Sequence, residues 1–179
     1  MGVTIKGLDR LRTKIKAMPK AISEAAFNAT EETAELVQGR AVQNVQRSIK
    51  NGSGSLSSSI KKDAVMTDSK SVAHVWTDKK QGLYRELGTG PVGEASQKDL
   101  PPAVIPVYSQ GPWFIPAKDA PDLEALYGML RISIKGVDFF LTRGQPARPW
   151  LYPALKEGMA EAPDIFTEKI NLKLKELAK

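Results

Sequence analysis

The segment from residue 20 to residue 49 limits the possible folds of this chain more than any other part of the sequence. Small and apolar residues recur in it mostly at four-residue steps, so they line one slowly drifting face of an α-helix. These residues are Ile22, Ala26, Ala29, Thr33, Val37, Ala41, Val45 and Ile49. A helix of this length spans ~45 Å at 1.5 Å per residue. Its small side chains predict the close approach of another helix, either from a second subunit or from the preceding segment of the same chain.

The preceding segment carries an apolar stripe of its own. Leu8, Leu11, Ile15 and Met18 recur at three- and four-residue steps, and most of the nearby Arg and Lys residues lie off this stripe. Pro19 follows, and a proline disfavours helical geometry in the residue before it while suiting the first turn of a new helix. The sequence therefore predicts two helices that meet at Pro19 and form a helical N-terminal arm over residues 1–50.

Residues 57–143 have the features of a β-rich core. Two β-prone runs at 64–67 and 71–77 flank a polar turn and predict a hairpin, and residues 137–141 predict a buried strand. Prolines exclude a helix from a long loop at 92–111, although residues 103–108 fit an edge strand. Because loops of this length in compact domains usually have a function, the loop is predicted to make contacts on assembly. Trp113 and Phe114 follow it, and as aromatic residues they suit either an interface or the core.

The remaining residues complete an α+β fold. Residues 150–179 predict C-terminal helices, interrupted at Gly158 and Pro163, that pack on a small and mostly antiparallel sheet. The length of 179 residues fits a single domain over residues 1–179. The chain has no cysteine, so its core is built without disulfides and without thiolate ligands. No apolar run approaches the ~18 residues that a membrane-spanning helix needs, so no membrane partner is predicted.

The positive charge of the chain is concentrated at its N-terminal end. The net charge is +6, and residues 1–62 carry this whole excess because basic and acidic residues balance in the remainder. A basic arm suits nucleic acid or an acidic protein surface, and equally a solvated helix face. The arm has no interleaved aromatic residues and no nucleic-acid-binding fingerprint, so specific nucleic-acid binding is not expected.

Catalytic chemistry finds little support in the sequence. His74 is the only histidine, and no neighbouring residue in the sequence completes a triad or a metal pair with it. Gly88-Thr89-Gly90 is not followed by the Gly-Lys-Ser/Thr of a phosphate-binding loop. The sequence therefore predicts no enzyme, no catalytic residue, no metal site and no cofactor.

Two stretches of the sequence are predicted to have special backbone conformations that contact other protein surfaces. Residues 83–91 run through Tyr84, Glu86 and Gly88-Thr89-Gly90 to a proline, and a glycine in such a turn takes a positive φ or lets another backbone come close. Residues 145–155 form an extended segment with regularly placed prolines that leads into a helix and contains Arg148, Pro149 and Trp150.

These stretches carry a resemblance to a known family. The matching marks, in order along the chain, are Gly54-Ser55-Leu56 with Ser59-Ile60, then Tyr84-Arg85-Glu86-Leu87-Gly88-Thr89, then Arg148-Pro149-Trp150-Leu151-Tyr152-Pro153-Ala154-Leu155. The chain resembles the phage HK97 gp10-like family of head–tail joining and tail-completion proteins.

The resemblance implies a structural virion protein of a tailed bacteriophage. It implies a homo-oligomeric ring at the neck of the particle, built in the host cytoplasm, whose partners are further copies of itself, the tail tube and the head connector. The candidate interface residues are Tyr84, Glu86, Gly88, Thr89, Gly90, Trp113, Phe114, Arg148, Pro149 and Trp150. The alternative that the sequence leaves open is a small basic protein that binds nucleic acid through its N-terminal arm.

Overall fold

The computed structural model describes residues 7–49, 53–67, 70–120 and 123–179, and its architecture is α+β. Residues 1–6 and 50 of the predicted N-terminal arm lie outside the described residues. The helices are α1 (Leu8–Ser48), α2 (Lys80–Leu87), α3 (Gly90–Ala95), α4 (Leu123–Tyr127) and α5 (Leu151–Ala178). The strands are β1 (Ile60–Met66), β2 (Ser71–Thr77), β3 (Trp113–Pro116), β4 (Arg131–Ile134) and β5 (Val137–Thr142). No helix among the described residues combines the length and the apolar character needed to cross a bilayer.

The chain divides into two compact units. Unit 1 contains residues 1–77 and 153–179, and unit 2 contains residues 78–152. The single domain over residues 1–179, which the chain length favours, stays a prediction.

The N-terminal arm is one continuous helix, and this corrects the prediction of two helices. Pro19 lies inside α1, which runs without interruption from Leu8 to Ser48. Pro19 is exposed, so the carbonyl that loses its helical partner lies where water can reach it. Contacts with α5 hold the helix on both sides of the proline, through Arg10 and Lys14 before it and Glu24 after it. The local rule about proline is overridden by this tertiary packing.

The helix α5 is the close partner of α1 in unit 1. The Nη2 atom of Arg10 donates to the carbonyl oxygen of Lys179 over 2.7 Å, and the Nζ atom of Lys14 donates to that of Ala178 over 2.6 Å. These bonds join the start of α1 to the end of α5, so the two helices are antiparallel. The sequence left open whether a second subunit or the preceding segment covers α1, and in unit 1 it is the C-terminal helix that does so.

Further ion pairs follow the same antiparallel order along the two helices. They are Glu24 with Lys173, Glu32 with Lys169, and Arg40 with both Glu157 and Glu161. Exposed pairs of this kind are each worth less than ~1 kcal/mol, so the buried small residues between the helices contribute more to the packing.

The helix α5 is also continuous, where the sequence predicts interruptions. Pro163 is exposed, like Pro19, and the helix passes through it. Gly158 is buried against α1, and a Cβ atom at this position would meet the side chain of Val37. Gly158 therefore provides room for close packing and does not end the helix. The sequence predicts that this helix packs on a sheet, whereas its side-chain contacts within unit 1 are with α1.

The buried face of α1 follows the predicted stripe only in its second half. The buried members that recur every four residues are Ala21, Ala25, Ala29, Thr33, Val37, Ala41 and Val45. Before Ala29 the buried positions are therefore one residue earlier than predicted, and Ile22 is exposed. Val37 on this face meets Gly158 of α5, and the β1–β2 hairpin also packs on α1.

The first predicted hairpin is confirmed. Strands β1 and β2 pair antiparallel, with Ile60 opposite Thr77 and Met66 opposite Ser71, and pack against α1. The Nε2 atom of Gln38 donates to the carbonyl oxygen of Ile60 over 2.8 Å. Asp63 lies opposite His74, and their side chains approach to 2.9 Å at an exposed position, so the histidine has an acidic neighbour that the sequence order did not indicate.

Unit 2 contains a second sheet, so the single predicted sheet is in fact two. Its strand order is β3-β5-β4, and both pairs are antiparallel. The predicted strand at 137–141 is confirmed as the central strand β5, and Phe140 is fully buried in it. Lys135 and Gly136 connect β4 to β5 with φ angles of 50° and 78°, as a tight two-residue hairpin turn requires. Residues 104–110, within the predicted loop at 92–111, have no helix, strand or turn, so the predicted edge strand at 103–108 is not formed. The start of the loop was predicted wrongly, because residues up to Ala95 belong to helix α3. The proline of this helix lies in its first turn, where a missing N–H is tolerated.

Candidate site formed by the two motif stretches

The first motif stretch is the end of a helix, where the sequence predicts only a turn. Helix α2 ends at Leu87, and Gly88 follows with a φ of 75°. A Cβ atom on Gly88 would lie 2.7 Å from both the nitrogen of Ala147 and the Cα atom of Gly93. The prediction that this glycine takes a positive φ or admits another backbone is therefore confirmed on both counts.

The second motif stretch runs beside the first and is bonded to it. The backbone N–H of Thr89 donates to the carbonyl oxygen of Gln145 over 2.9 Å. In return, the N–H of Gln145 donates to the carbonyl oxygen of Thr89 over 3.2 Å. The N–H of Arg148 donates to the carbonyl oxygen of Arg85 over 2.7 Å. The two stretches, almost 60 residues apart in sequence, are thus paired backbone to backbone.

Glu86 caps the start of α5. One oxygen of its carboxylate, Oε2, accepts the backbone N–H groups of Trp150 and Leu151 over 2.6 and 2.9 Å. The other oxygen, Oε1, accepts the N–H of Tyr152 over 2.9 Å. The first N–H groups of a helix have no partners inside the helix, and a carboxylate there also favours the positive end of the helix dipole. Glu86 therefore fixes where α5 begins.

Trp150 anchors the same junction through its side chain. Only 2% of its surface is exposed, and its Nε1 atom donates to the carbonyl oxygen of Gly82 in α2 over 2.9 Å. This candidate interface residue is therefore buried and bonded within unit 2. A buried indole N–H needs such an acceptor, because an unsatisfied donor in the interior is costly.

A third contact involves Gly90, Gly144 and the first strand of the sheet. Gly90 has a φ of 60°, and a Cβ atom on it would lie 2.9 Å from the ring of Trp113 and 2.5 Å from the carbonyl oxygen of Arg143. Gly144 has a φ of 100°, and a Cβ atom there would overlap the carbonyl oxygen of Thr89. Close backbone approach therefore connects the glycine turn to the sheet on both sides.

The ten predicted interface residues divide by exposure. Gly88, Gly90 and Trp150 are buried, and Glu86, Thr89, Trp113 and Pro149 are half-buried. Tyr84, Phe114 and Arg148 are exposed. Phe114 lies on the sheet, where its ring meets that of Phe139 edge-on with centroids 6.2 Å apart.

The electrostatics near the exposed members are dominated by two guanidinium groups. Burial lowers the pKa of Arg85 from its ordinary value, and the positive charge of Arg148 lowers it further. An arginine remains a cation at neutral pH even so, which leaves a concentration of positive charge beside Tyr84.

Some positions that hold the site together were not singled out from the sequence. The Oγ atom of Ser96 accepts the N–H of Ala147 over 2.9 Å, and the hydroxyl of Tyr108 donates to the carbonyl oxygen of Leu87 over 2.8 Å. The sequence held one signal for Glu86. Helix α5 has no Ser, Thr, Asp or Asn just before Leu151, so a cap from elsewhere in the chain was required.

In the part of the chain that the structure describes, no three His, Asp or Glu side chains are grouped so that they could hold a metal ion. The polar groups of the motif site are bonded to one another and hold two segments of backbone in a fixed arrangement. The chain matches no family model, and no curated protein and no solved structure is detectably similar to it.

Proposed function

We propose that this chain is a structural virion protein of a tailed bacteriophage, a tail-completion or head–tail joining component that acts as a homo-oligomeric ring at the neck. In this role it makes and breaks no covalent bond. It is built into the particle in the bacterial cytoplasm, and its partners are copies of itself, the tail-tube protein and the head connector.

The observation that carries the proposal is the pairing of the two motif stretches. Three residues of the marks that resemble the phage family hold the two stretches together: Thr89 bonds to Gln145, Glu86 to the start of α5, and Trp150 to Gly82. A set of motifs whose polar groups are used for backbone support suits a protein that works by its shape. It is a poor basis for a reaction, which needs groups free to meet a substrate.

A ring follows from head-to-tail contact between two different patches of the same chain. Such contacts close into a ring when the rotation between neighbours divides a full turn. In this proposal Tyr84 and Arg148, which are exposed beside the rigid turn, contribute to a patch whose position is fixed by Glu86 and Gly88.

The proposal is tested in the phage or prophage whose genome encodes the chain. A nonsense mutation in the gene is expected to yield full heads and complete tails that remain separate under the electron microscope. Purified wild-type protein added to this lysate should restore joined, infectious particles. Infectious particles formed without the protein would refute the proposal.

Binding of nucleic acid by the basic arm is the competing function, and part of the arm's charge is already engaged. Arg10 and Lys14 bind carbonyl oxygens at the end of α5, and Arg40 pairs with two glutamates. A protein that binds DNA through phosphate contacts loses affinity steeply as salt is raised. Tight and salt-sensitive binding of duplex DNA by the purified chain would favour this competing function.

A further inference from the structure

The segment from residue 103 to residue 107 is the most unusual surface of unit 2. The side chains of Ile105 and Val107 are 85% and 97% exposed, although both are strongly apolar. Pro106 lies between them and restricts Ile105 to extended backbone. We call residues 103–107 the strap.

The strap is held at both of its flanks. On one side Lys98 lies 5.0 Å from the centre of the Tyr108 ring, and the Tyr108 hydroxyl bonds to the carbonyl oxygen of Leu87. Beyond it, the side chain of Gln110 donates to Glu94 over 2.7 Å. Val104 closes a turn with Pro101 over 2.9 Å. The strap is therefore presented in a defined position, with its two large apolar side chains in solvent.

The backbone of the strap has one side suited to strand pairing. Alternate residues of a strand direct their N–H and C=O groups to the same side. Pro106 has no N–H, so the side shared by residues 104 and 106 is incomplete. Residues 105 and 107 direct their groups to the other side, and among the described residues neither makes a backbone hydrogen bond. The strap can therefore add to a sheet edge only through this second side.

Unit 2 also contains a free sheet edge. Strand β4 is the last strand of the order β3-β5-β4, so one of its sides pairs with no other strand of the described residues. The N–H of Leu141 donates to the carbonyl oxygen of Leu130, which makes these two a hydrogen-bonded pair of the antiparallel ladder. Hydrogen-bonded pairs alternate with non-hydrogen-bonded pairs along this ladder, so the backbone groups of Ile132 and Ile134 also bond to β5. Arg131 and Ser133 therefore direct their backbone groups to the free edge.

The two faces of this sheet have different character at the edge. Arg131 and Ser133 lie on one face, where both side chains bond to Asp138. Leu130, Ile132 and Ile134 lie on the other face, and Leu130 and Ile134 are exposed there. An added strand that places apolar side chains beside Ile132 and Ile134 would cover these two.

Only a parallel arrangement of the strap meets that condition. In an antiparallel ladder Ile105 would pair directly with Arg131 or Ser133 and lie on the polar face. In a parallel ladder a residue bonds to the neighbours of the residue it faces. Ile105 then bonds to Arg131 and Ser133 while facing Ile132, and in the same register Val107 faces Ile134.

We propose that the strap of one copy of this chain adds as a parallel strand to the free β4 edge of the next copy, with Ile105 beside Ile132 and Val107 beside Ile134. The contact is heterologous, since each copy offers a strap on one side and an edge on the other, and it can repeat around a ring. This inference rests on the ring proposed above and names the contact that joins its members.

The absence of cysteine from the chain makes the contact directly testable. Neighbouring strands are ~4.8 Å apart, which is within the Cα separation that a disulfide bridges. Full-length V107C and I134C proteins are purified, mixed at high concentration and exposed to a mild oxidant. The expected product is a mixed disulfide dimer. V107C mixed with S133C serves as the matched control, because Ser133 lies on the opposite face, and is expected to give at least tenfold less.

The doubly substituted V107C/I134C chain distinguishes a neighbour from a fold-back. Pairing between copies gives a ladder of covalent multimers on a denaturing gel. The inference would be overturned if the doubly substituted chain gave only internally cross-linked monomer. It would also be overturned if the V107C and I134C mixture gave no more dimer than the V107C and S133C control.

A second variant tests the contact without cysteine. I105D/V107D replaces two side chains that are already in solvent, so its thermal unfolding should match that of the wild type. Its association with further copies, measured by sedimentation, should be lost. Wild-type association by this variant would also overturn the inference while leaving the ring intact. The ring itself is judged separately, by whether particles join without the protein.

Discussion

Removal of the Glu86 carboxylate gives the sharpest test of how the motif stretches are held together. The carboxylate accepts three backbone N–H groups, at 2.6, 2.9 and 2.9 Å. Hydrogen bonds to charged groups contribute ~1.5–3 kcal/mol each. Three such bonds sum to about 4.5–9 kcal/mol. Because Glu86 is half-buried and water can replace part of the lost bonding, we expect Glu86→Ala to lower the free energy of unfolding by less than this sum, by ~3–4 kcal/mol.

Glu86→Gln separates charge from shape. The amide keeps one acceptor oxygen and places an NH₂ group against the remaining backbone donors. We expect a loss of ~1–2 kcal/mol, from at least one missing bond and from the lost interaction with the helix dipole. For a chain of this size, each kcal/mol corresponds to a shift of ~2–4 °C in Tm.

The measurement is urea unfolding followed by both circular dichroism and tryptophan fluorescence. Glu94→Ala is the matched control, since Glu94 is an exposed acid in unit 2 whose only described carboxylate bond is to the side chain of Gln110, and it should change the stability by less than ~0.5 kcal/mol. If Glu86→Ala proves no more destabilising than Glu94→Ala, the carboxylate does not hold the start of α5 and the reasoning about the motif fails.

Three further changes probe other contacts. Gly88→Val should prevent folding or lower Tm by at least ~6–12 °C, the shift expected for a loss of ~3 kcal/mol, because a branched side chain resists positive φ and the backbone of Ala147 leaves no room. A normal melting curve would contradict this. Trp150→Ala should lower the free energy of unfolding by ~3–5 kcal/mol, because it removes a buried ring. Trp150→Phe should cost only ~1–2 kcal/mol for the lost indole bond, in addition to the smaller loss of packing. Both are measured by urea unfolding, and a near-neutral alanine variant would mean that the ring is not buried. Gly158→Ala should destabilise despite a helix-propensity gain of ~1 kcal/mol, and adding Val37→Ala should recover part of the loss in a double-mutant cycle; simple additivity would show that the two do not touch.

The sequence predicted those features that depend on local spacing. The hairpin of β1 and β2, the strand β5 and the special backbone at Gly88 follow from alternation and from glycine chemistry, which act over a few residues. The second half of the α1 stripe, from Ala29 to Val45, was correct because small residues there repeat without interruption.

The features that the sequence missed depend on contacts between distant segments. Local rules end a helix at Pro19 and again at Pro163, yet both prolines lie on the exposed sides of helices that pack against each other. Helix α2 has few apolar residues and no capping side chain, so nothing in its own sequence marks it as a helix. The role of Glu86 depends on a segment more than 60 residues away.

Support and contact are assigned to different residues in this molecule, and that division can be tested as a whole. Glu86 and Trp150 bond to backbone groups inside unit 2, and Gly88 allows the backbone of Ala147 to come close. Substitution of these residues should therefore lower stability first and assembly only as a consequence. Ile105 and Val107 contribute nothing to the isolated fold, so their substitution should abolish assembly at unchanged stability. A single experiment compares the two groups, with Tm on one axis and restoration of joined particles on the other. If strap variants lost stability, or if Glu86 variants of normal stability failed to assemble, the division would be wrong and the motif stretches would themselves be the surface that meets the next copy.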